Sequence, residues 1–164
     1  MSSVSVVSVK LLNNPAAFLD SYVFEIVFEA DASVTPDDVL EFRFVYVGSS
    51  KSEEFDQELD TIEVSPIPLG ISKFSIETSA PDPQKIPLDD LLGVTVIFVS
   101  CLLNNREVVR VGFFCHVEYI DPENEPDEPN FSLLRRNVNV EEPRITAVGP
   151  DQSNMTPPTE AIQS

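Results

Sequence analysis

Hydrophobic and more polar residues alternate along much of the first 120 positions of the chain. Residues 21–30 place a large apolar side chain at every even position from 22 to 28, and residues 40–47 do the same from 40 to 46. A period of two is typical of a β-strand with one face in a hydrophobic core. This pattern and its weaker repeats predict seven strands, at residues 4–12, 21–30, 40–47, 61–64, 71–78, 94–103 and 107–119.

Turn-forming residues separate these segments. Pro, Gly, Asn and Asp cluster in the intervals, as in the pair Asn104-Asn105. Seven short strands at this spacing predict an all-β fold, an immunoglobulin-like antiparallel β-sandwich. Short helical turns are expected in the loops, and the clearest follows Pro87, where residues 88–92 carry two acidic side chains in their first turn.

The strands at 94–103 and 107–119 depart from simple alternation because both of their faces are apolar. One face of the first strand carries Val94, Val96 and Phe98. A three-residue turn near Asn104 would place these beside one face of the second strand, formed by Val108, Arg110, Gly112, Phe114 and His116. The result would be an apolar patch holding one arginine. Such a face either binds a partner or is covered by a helix or the C-terminal segment, and periodicity alone leaves both open.

The composition changes after residue 119. Residues 121–129 are acidic and rich in Pro, residues 131–137 are expected to form a brief ordered turn, and residues 144–148 a last short strand. From Gly149 onward the chain has almost no apolar residues. We therefore expect one immunoglobulin-like core at residues 1–148 and a disordered polar tail at residues 149–164.

The charge balance narrows the range of partners. Ten Lys and Arg against 28 Asp and Glu give a net charge of −18, which repels phosphate and favours a basic partner. We therefore expect no direct binding to nucleic acid or to an anionic membrane. The sequence also has no apolar run of the about 18–20 residues that a membrane span needs, and no secretory pattern at its start. Both observations favour the cytosol or the nucleus.

Candidate catalytic and metal-binding groups are scattered along the sequence. His116 is the only histidine, no Gly-rich phosphate loop is present, and carboxylate pairs such as Asp89-Asp90 are best explained as solvated loops. We therefore expect no enzymatic activity, no cofactor and no metal. Cys101 and Cys115 lie several residue pairs apart in the predicted hairpin, so both are expected to be reduced and partly buried.

Eight stretches, in order and at similar spacing, resemble the anti-silencing-function histone chaperone family from about residue 1 to residue 148. They are residues 12–15 (LNNP), 24–29 (FEIVFE), 46–53 (YVGSSKSE), 56–60 (DQELD), 93–96 (GVTV), 109–112 (VRVG), 135–137 (RRN) and 143–146 (PRIT). The resemblance implies a non-enzymatic chaperone that binds the histone H3–H4 heterodimer. Such a protein delivers or removes that heterodimer during nucleosome assembly and disassembly.

The resemblance also implies two binding regions. Histone H3 would pack on a concave sheet face with acidic residues beside it, and the C-terminal part of H4 would add a strand to the last segment. The implied histone-binding residues are Val47, Asp56, Asp90, Val94, Val96, Arg110, Phe114, Arg144 and Thr146. A separate groove would receive short basic hairpins of chromatin assembly factor and histone-regulator chaperones, near Asp37, Asp38, Asp60, Thr61, Ile62 and Val64.

A protein of this kind is expected to be a monomer when free and to act in the nucleus, with a pool in the cytoplasm. The alternative is an acidic adaptor sandwich that scaffolds chromatin-regulatory proteins without specific histone handling. A docking face would prefer H3–H4 over the other core-histone dimer, whereas acidity alone would bind both alike.

Overall fold

The computed structural model describes residues 3–147, most of which form antiparallel strands. The strands are β1 (Val4–Leu11), β2 (Ala16–Ala17), β3 (Tyr22–Ala30), β4 (Leu40–Val47), β5 (Asp56–Val64), β6 (Gly70–Thr78), β7 (Gly93–Leu103), β8 (Arg106–Tyr119), β9 (Leu134–Val138) and β10 (Arg144–Ala147). The short helix α1 (Leu88–Leu91) precedes β7. Single 3₁₀ turns lie at Glu53–Phe55, Pro83–Lys85, Pro122–Asn124 and Phe131–Leu133.

The strands form two sheets that pack as a curled sandwich, which confirms the predicted all-β class. Sheet A has the order β1-β3-β6, and sheet B has the order β2-β9-β8-β7-β4-β5. Strand β10 also belongs to sheet B, where it pairs with β8 beyond the end of β9. The proposed tail at residues 149–164 and its boundary at residue 148 lie outside the described residues.

Aromatic side chains fill the space between the sheets. Phe24 and Phe28 project from β3 toward Phe44 and Phe42 of β4, with ring centroids 5.2 and 5.7 Å apart. All four rings are buried. Burying a ring of this size stabilises the fold by about 1.5–3 kcal/mol, so the even-numbered positions of β3 and β4 determine which faces of the sheets meet.

The hairpin between β7 and β8 turns differently from the prediction. Leu103 pairs with Arg106, so the turn has two residues, and both Asn104 and Asn105 adopt positive φ angles, 53° and 69°. Asn tolerates this left-handed conformation, which suits a tight hairpin. Three residues in the turn were predicted, and that prediction is wrong.

A β-bulge restores the predicted phase of the hairpin. Cys101 pairs with Val109 and Leu102 with Glu107, which leaves Val108 as the extra residue. From there Val96 pairs with Phe114 and Val94 with His116. From Arg110 to His116 the face of β8 therefore lies beside that of β7 as predicted, because an extra residue in the strand replaces an extra residue in the turn. Val108, which was predicted on the same face, instead packs against the core.

Two further segments were predicted incompletely. Residues 131–137 contain a 3₁₀ turn followed by β9, which pairs with both β8 and β2, rather than only a brief turn. Strand β5 begins at Asp56, five residues before the predicted start, because its polar first half pairs with β4 at the edge of sheet B. The strand at residues 144–148 is confirmed as β10 as far as Ala147.

Arg136 in β9 points into the sandwich and is fully buried. Its guanidinium lies 3.6 Å from the centre of the Tyr22 ring. It donates hydrogen bonds to the carbonyl oxygens of Ala17 at 3.1 Å and Ser21 at 2.6 Å, and also to that of Asp20. Burial lowers the pKa of this guanidinium from its ordinary value. The side chain thus ties the loop between β2 and β3 to sheet B.

Candidate partner-binding surface

The outer face of sheet B carries an apolar surface that spans three strands. Register places Val45 of β4 beside Phe98 of β7, and Val96 of β7 beside Phe114 of β8. Val94 and Val47 continue the same face by strand alternation. We call this surface the valine patch, and its members are Val45, Val47, Val94, Val96, Phe98 and Phe114.

The described part of the chain leaves much of the valine patch exposed. Val94 is 67% exposed and Phe114 37%, and Val96 is half-buried. Strand β10 lies beside β8 within the sheet, and α1 precedes β7 at its end, so neither element covers the face in residues 3–147. Within residues 3–147 the face is therefore not covered by a helix or by β10, and the part of the C-terminal segment beyond Ala147 lies outside the described residues.

Gly112 lies on the same face as the valine patch, between Val96 and Phe98. A Cβ atom at this position would come into ordinary van der Waals contact with Val96 Cγ1 at 3.5 Å and with Phe98 Cβ at 3.6 Å. The glycine itself is buried, so a partner on this face would contact the neighbouring side chains rather than the glycine.

Arg110 stands at the border of the valine patch in a defined position. Its guanidinium lies 4.1 Å from the centre of the Phe98 ring, and its Nε donates to Oε2 of Glu107 at 2.9 Å. Ser100 also donates to that carboxylate. The Arg110 side chain nevertheless remains 47% exposed. A guanidinium held by a ring and one carboxylate retains donors for a carboxylate of a partner.

Acidic side chains flank the valine patch. Asp56 pairs with Val47 across the β4–β5 ladder, and Asp90 of α1 lines a shallow hollow with Gly48 and Val94. Partial burial, together with nearby Glu53, raises the pKa of the Asp56 carboxyl above its ordinary value, and Arg110 opposes that shift. A cation bound beside Asp56 would relieve this unfavourable environment, which favours a basic partner.

Strand β10 extends the surface at one edge. Thr146 pairs with Arg110 and Arg144 pairs with Gly112, so both residues adjoin the valine patch. The Arg144 guanidinium lies 4.9 Å from the centre of the Phe114 ring. Among the described residues β10 pairs only with β8, so its other edge offers backbone groups to an added strand.

The structure brings the nine predicted histone-site residues onto one face or its border. The six residues of the predicted second groove instead surround the opposite edge of sheet B. Ile62 and Val64 of β5 pack against the edge of the core, whereas Thr61 pairs with Arg43 on the outer face. Asp37 and Asp38 belong to the loop before β4, whose first residue, Leu40, pairs with Val64.

Asp38 has a structural contact that its neighbour lacks. Its carboxylate accepts hydrogen bonds from the Thr35 amide and from Asn104 Nδ2, both at 2.8 Å. The bond from Asn104, followed by the one from Thr35, lowers the pKa of Asp38. The loop is therefore tied to the β7–β8 turn through Asp38, while the neighbouring Asp37 side chain is exposed.

Sequence reasoning missed three contributors to the surface. Val45 follows from the alternation of β4, since it shares the parity of Val47. Glu107 was not identifiable, because its contact with Arg110 depends on the bulge at Val108. The Arg144–Phe114 contact likewise required the register of β10 against β8.

Both cysteines face the interior and are unpaired. Cys101 lies opposite Val109 and Cys115 opposite Thr95, which separates the thiols along the ladder as predicted. They are fully rather than partly buried, at 1% and 0% exposure. Burial raises the pKa of Cys101 to about 12 and that of Cys115 to about 11.

Residues 3–147 show neither a metal-binding cluster nor a membrane-spanning helix. No group of three or more His, Cys, Asp or Glu side chains in this part of the chain is arranged to hold a metal ion. The helices described there are also too short and too polar to cross a membrane.

Comparison with known proteins identifies a family. A family model described as "ASF1 like histone chaperone" matches residues 1–150. "Histone chaperone asf-1" of Neurospora crassa is 45% identical over 163 residues, covering 96% of this chain and 59% of that protein. "Histone chaperone ASF1" of Chaetomium globosum is 47% identical over 149 residues, covering 89% and 53%.

A mammalian relative matches over a larger share of its length. "Histone chaperone ASF1B" of Mus musculus is 41% identical over 167 residues, covering 100% of this chain and 82% of that protein. The chain thus spans little more than half the length of the fungal relatives and most of the mouse one. Because the family model matches all of the described residues, the chain belongs to the ASF1-like histone chaperone family.

Proposed function

We propose that this protein is a histone chaperone that binds the H3–H4 heterodimer on the outer face of sheet B. It would deliver or remove that heterodimer during nucleosome assembly and disassembly, in the nucleus and with a cytoplasmic pool. The single observation that carries the proposal is the uncovered valine patch with Arg110 at its border and acidic groups beside it. Family membership agrees with this assignment.

The chemistry of the patch suits a histone. Histones are basic and expose apolar helix faces when they are not wrapped in DNA. The net charge of −18 would accelerate their approach. Burial of Val94, Val96 and Phe114 against an apolar helix face would then supply most of the binding free energy.

Polar groups would fix the orientation of the bound histone. Arg110 would pair with a carboxylate of the partner, and Asp56 and Asp90 with Lys or Arg side chains. The pKa of Asp56 is already raised by burial and by Glu53, so this site gains most from a partner's positive charge.

The free edge of β10 supports a second contact. An extended segment from the C-terminal part of H4 would add as a strand beside Arg144 and Thr146, through backbone hydrogen bonds. H3 on the patch and H4 on the edge would both be held by neighbouring parts of one sheet. One H3–H4 heterodimer would then occupy one monomer of this protein.

A separate partner site is proposed at the β5 edge. Asp37 and Asp60 would attract a short basic hairpin of a chromatin assembly factor or histone-regulator chaperone. Ile62 and Val64, which are only partly buried at the core edge, would contact its apolar side chains. Since β5 and β10 lie at different edges of sheet B, both partners can bind at once.

The proposal is tested by titrating the protein with purified H3–H4 and, separately, with the other purified core-histone dimer at physiological salt. We expect a one-to-one complex with H3–H4 at least about tenfold tighter than any complex with the other dimer. Equal affinity for the two dimers would contradict a docking face, and would instead support the acidic adaptor.

A further inference from the structure

A second exposed apolar group lies on the outer face of sheet B, away from the valine patch. Leu19, Ile120 and Leu133 are 46%, 53% and 41% exposed. They come together because the Ile120 amide donates to Leu133 O at 2.8 Å and the Phe18 amide donates to Leu134 O at 3.0 Å. We call these three residues the apolar row.

The apolar row lies just beyond the ends of three paired strands, on the side of the sheet that carries the patch. Arg135 is exposed on that side and pairs with both Ala17 and Glu118. Two positions further along each segment come Leu133 in the 3₁₀ turn, Leu19 in the turn after β2, and Ile120 directly after β8. The alternate positions Phe18, Tyr119 and Leu134 are buried in the core. From Phe114 to Ile120 the row lies six residues, or about 20 Å, along the chain from the patch.

The surroundings of the apolar row are strongly negative. Ile120 is followed by a loop with five acidic residues, at positions 121, 123, 125, 127 and 128. Residues 111–134 contain no Lys or Arg. Arg135, the next cation along the chain, pairs with Glu118 at 2.7 Å. The row therefore offers apolar contact within a field that only a basic ligand can neutralise.

We propose that the apolar row and the acidic loop bind a basic N-terminal extension of the histone cargo carried on the valine patch. Apolar side chains of the extension contact the row, while its Lys and Arg residues face the loop. Charge complementarity and the shared face of sheet B support this occupant, and the inference rests on the proposed function. A distance of about 20 Å is six or seven extended residues, well within the reach of such an extension.

The test compares two forms of the H3–H4 heterodimer, one complete and one without its N-terminal extensions. Binding of each is measured for the wild type and for Ile120→Ser with Leu133→Ser. We expect the double variant to bind the complete heterodimer about fivefold more weakly, and the shortened one unchanged. The control is Leu69→Ser with Ile71→Ser, two exposed apolar residues on either side of Gly70, the first residue of β6, and it should change neither affinity.

A second variant removes charge without touching apolar residues. Glu123→Gln with Glu125→Gln and Asp127→Asn alters three loop residues that are not buried, so folding should be unaffected. Like the apolar variant, it should weaken binding of the complete heterodimer and leave binding of the shortened one unchanged. This loss of affinity should become smaller as the salt concentration is raised. Thermal melts of all variants check that each one folds.

Three results would overturn the inference. Unchanged affinity in both the apolar and the charge variant would exclude the row and loop as a binding site. Equal loss for the complete and shortened heterodimers would show that the folded histone body is bound there instead. If the wild type bound neither form, the proposed function would fail, and the inference would fail with it.

Discussion

Arg136 and Arg110 belong to neighbouring strands of sheet B, yet they leave the sheet on opposite faces. Both guanidinium groups lie over an aromatic ring, at 3.6 Å from Tyr22 and 4.1 Å from Phe98. Arg136 is fully buried and donates to three backbone carbonyl groups. Arg110 is half exposed and has Glu107 as its ion-pair partner.

The two arginines differ in role, because Arg136 contributes to folding and Arg110 is available for recognition of a partner. The chain itself supplies acceptors for both terminal amino groups of the inner arginine, which is fully buried, so that side chain contributes to the fold and has little to offer a partner. The outer arginine is oriented by Phe98 and Glu107 while donors remain accessible. The inner face of sheet B should therefore determine stability and the outer face affinity, and the predictions below test that division.

The largest effect is expected from Arg136→Ala. Removing this side chain takes one donor from each of the carbonyl groups of Ala17, Asp20 and Ser21, and it opens a cavity beside Tyr22. The carbonyl of Asp20 is the most affected, because Ala17 still accepts from the Asp20 amide and Ser21 from Asn13. We expect the free energy of unfolding to fall by about 3–5 kcal/mol, measured by urea denaturation. Arg110→Ala is the matched control and should cost less than about 1 kcal/mol. Similar losses for the two variants would contradict the division between faces.

Alternation of apolar residues was enough to predict most strands and the part of the valine patch on β7 and β8, Val94, Val96, Phe98 and Phe114. It failed at β9, where Arg136 occupies an inward position that the pattern assigns to apolar residues. That arginine is acceptable inside only because carbonyl groups more than 110 residues away in sequence receive its hydrogen bonds. Such a contact depends on tertiary structure and leaves no local pattern.

The site was predictable to the extent that strand parity determines it. Arg110 and Phe114 share a face by strand parity alone, whereas placing Val96 beside Phe114 needs one extra residue in the hairpin, which the bulge supplies. The bulge at Val108 and the pairing of Arg144 with Gly112 depend on how strands meet in space. The contacts that orient Arg110 and Arg144 therefore had to come from the structure.

Val96→Arg should lower the affinity for H3–H4 strongly while leaving the stability of the fold nearly unchanged. The substitution puts a charge in the middle of a proposed dry contact, and an unpaired buried charge should weaken H3–H4 binding by about a thousandfold. Because Val96 is on the outer face, the free energy of unfolding should change by less than about 1 kcal/mol. Calorimetric titration and urea denaturation measure the two quantities.

The control for this prediction is the same substitution on sheet A. Val7 is 56% exposed at a bulge of β1, so Val7→Arg should leave both affinity and stability close to wild type. A folded Val96→Arg protein with wild-type affinity would refute the docking face. An unfolded one would show instead that Val96 belongs to the core.

Alkaline pH should act on the inner face alone. The buried thiols have pKa values raised to about 12 for Cys101 and about 11 for Cys115, whereas the unfolded chain releases these protons near pH 9. Keeping these thiols neutral therefore contributes fully to the free energy of unfolding below pH 9. This contribution is lost as the pH rises from 9 toward 11 for Cys115 and toward 12 for Cys101. Between pH 8 and pH 10 we expect the free energy of unfolding to fall by about 1 kcal/mol for each thiol.

Urea denaturation at pH 8, 9 and 10 measures this loss. Cys101→Ala with Cys115→Ala starts from a lower stability at pH 8 but should lose about 2 kcal/mol less on going to pH 10. Identical pH dependence in the wild type and the double variant would mean that the thiols are accessible to solvent in the folded protein.

The smallest effect is expected from Asp37→Ala, and it tests whether the two edges of sheet B act independently. Asp37 is exposed in the loop before β4, close to the β5 edge, whereas the valine patch lies on the outer face across β4, β7 and β8. Removing its charge should weaken a synthetic basic hairpin peptide from a chromatin assembly factor by about fivefold and leave H3–H4 binding unchanged. Asp38→Ala is a poorer test, because it also removes the hydrogen bonds that the Asp38 carboxylate accepts from Asn104 and Thr35. Glu125→Ala is the control for the loss of one charge. Glu125 is exposed in the loop between β8 and β9, away from the β5 edge, so its substitution should leave the affinity for the peptide unchanged. If Asp37→Ala weakened the peptide and the histones equally, the loop would be part of the histone site, and simultaneous binding at two edges would be excluded.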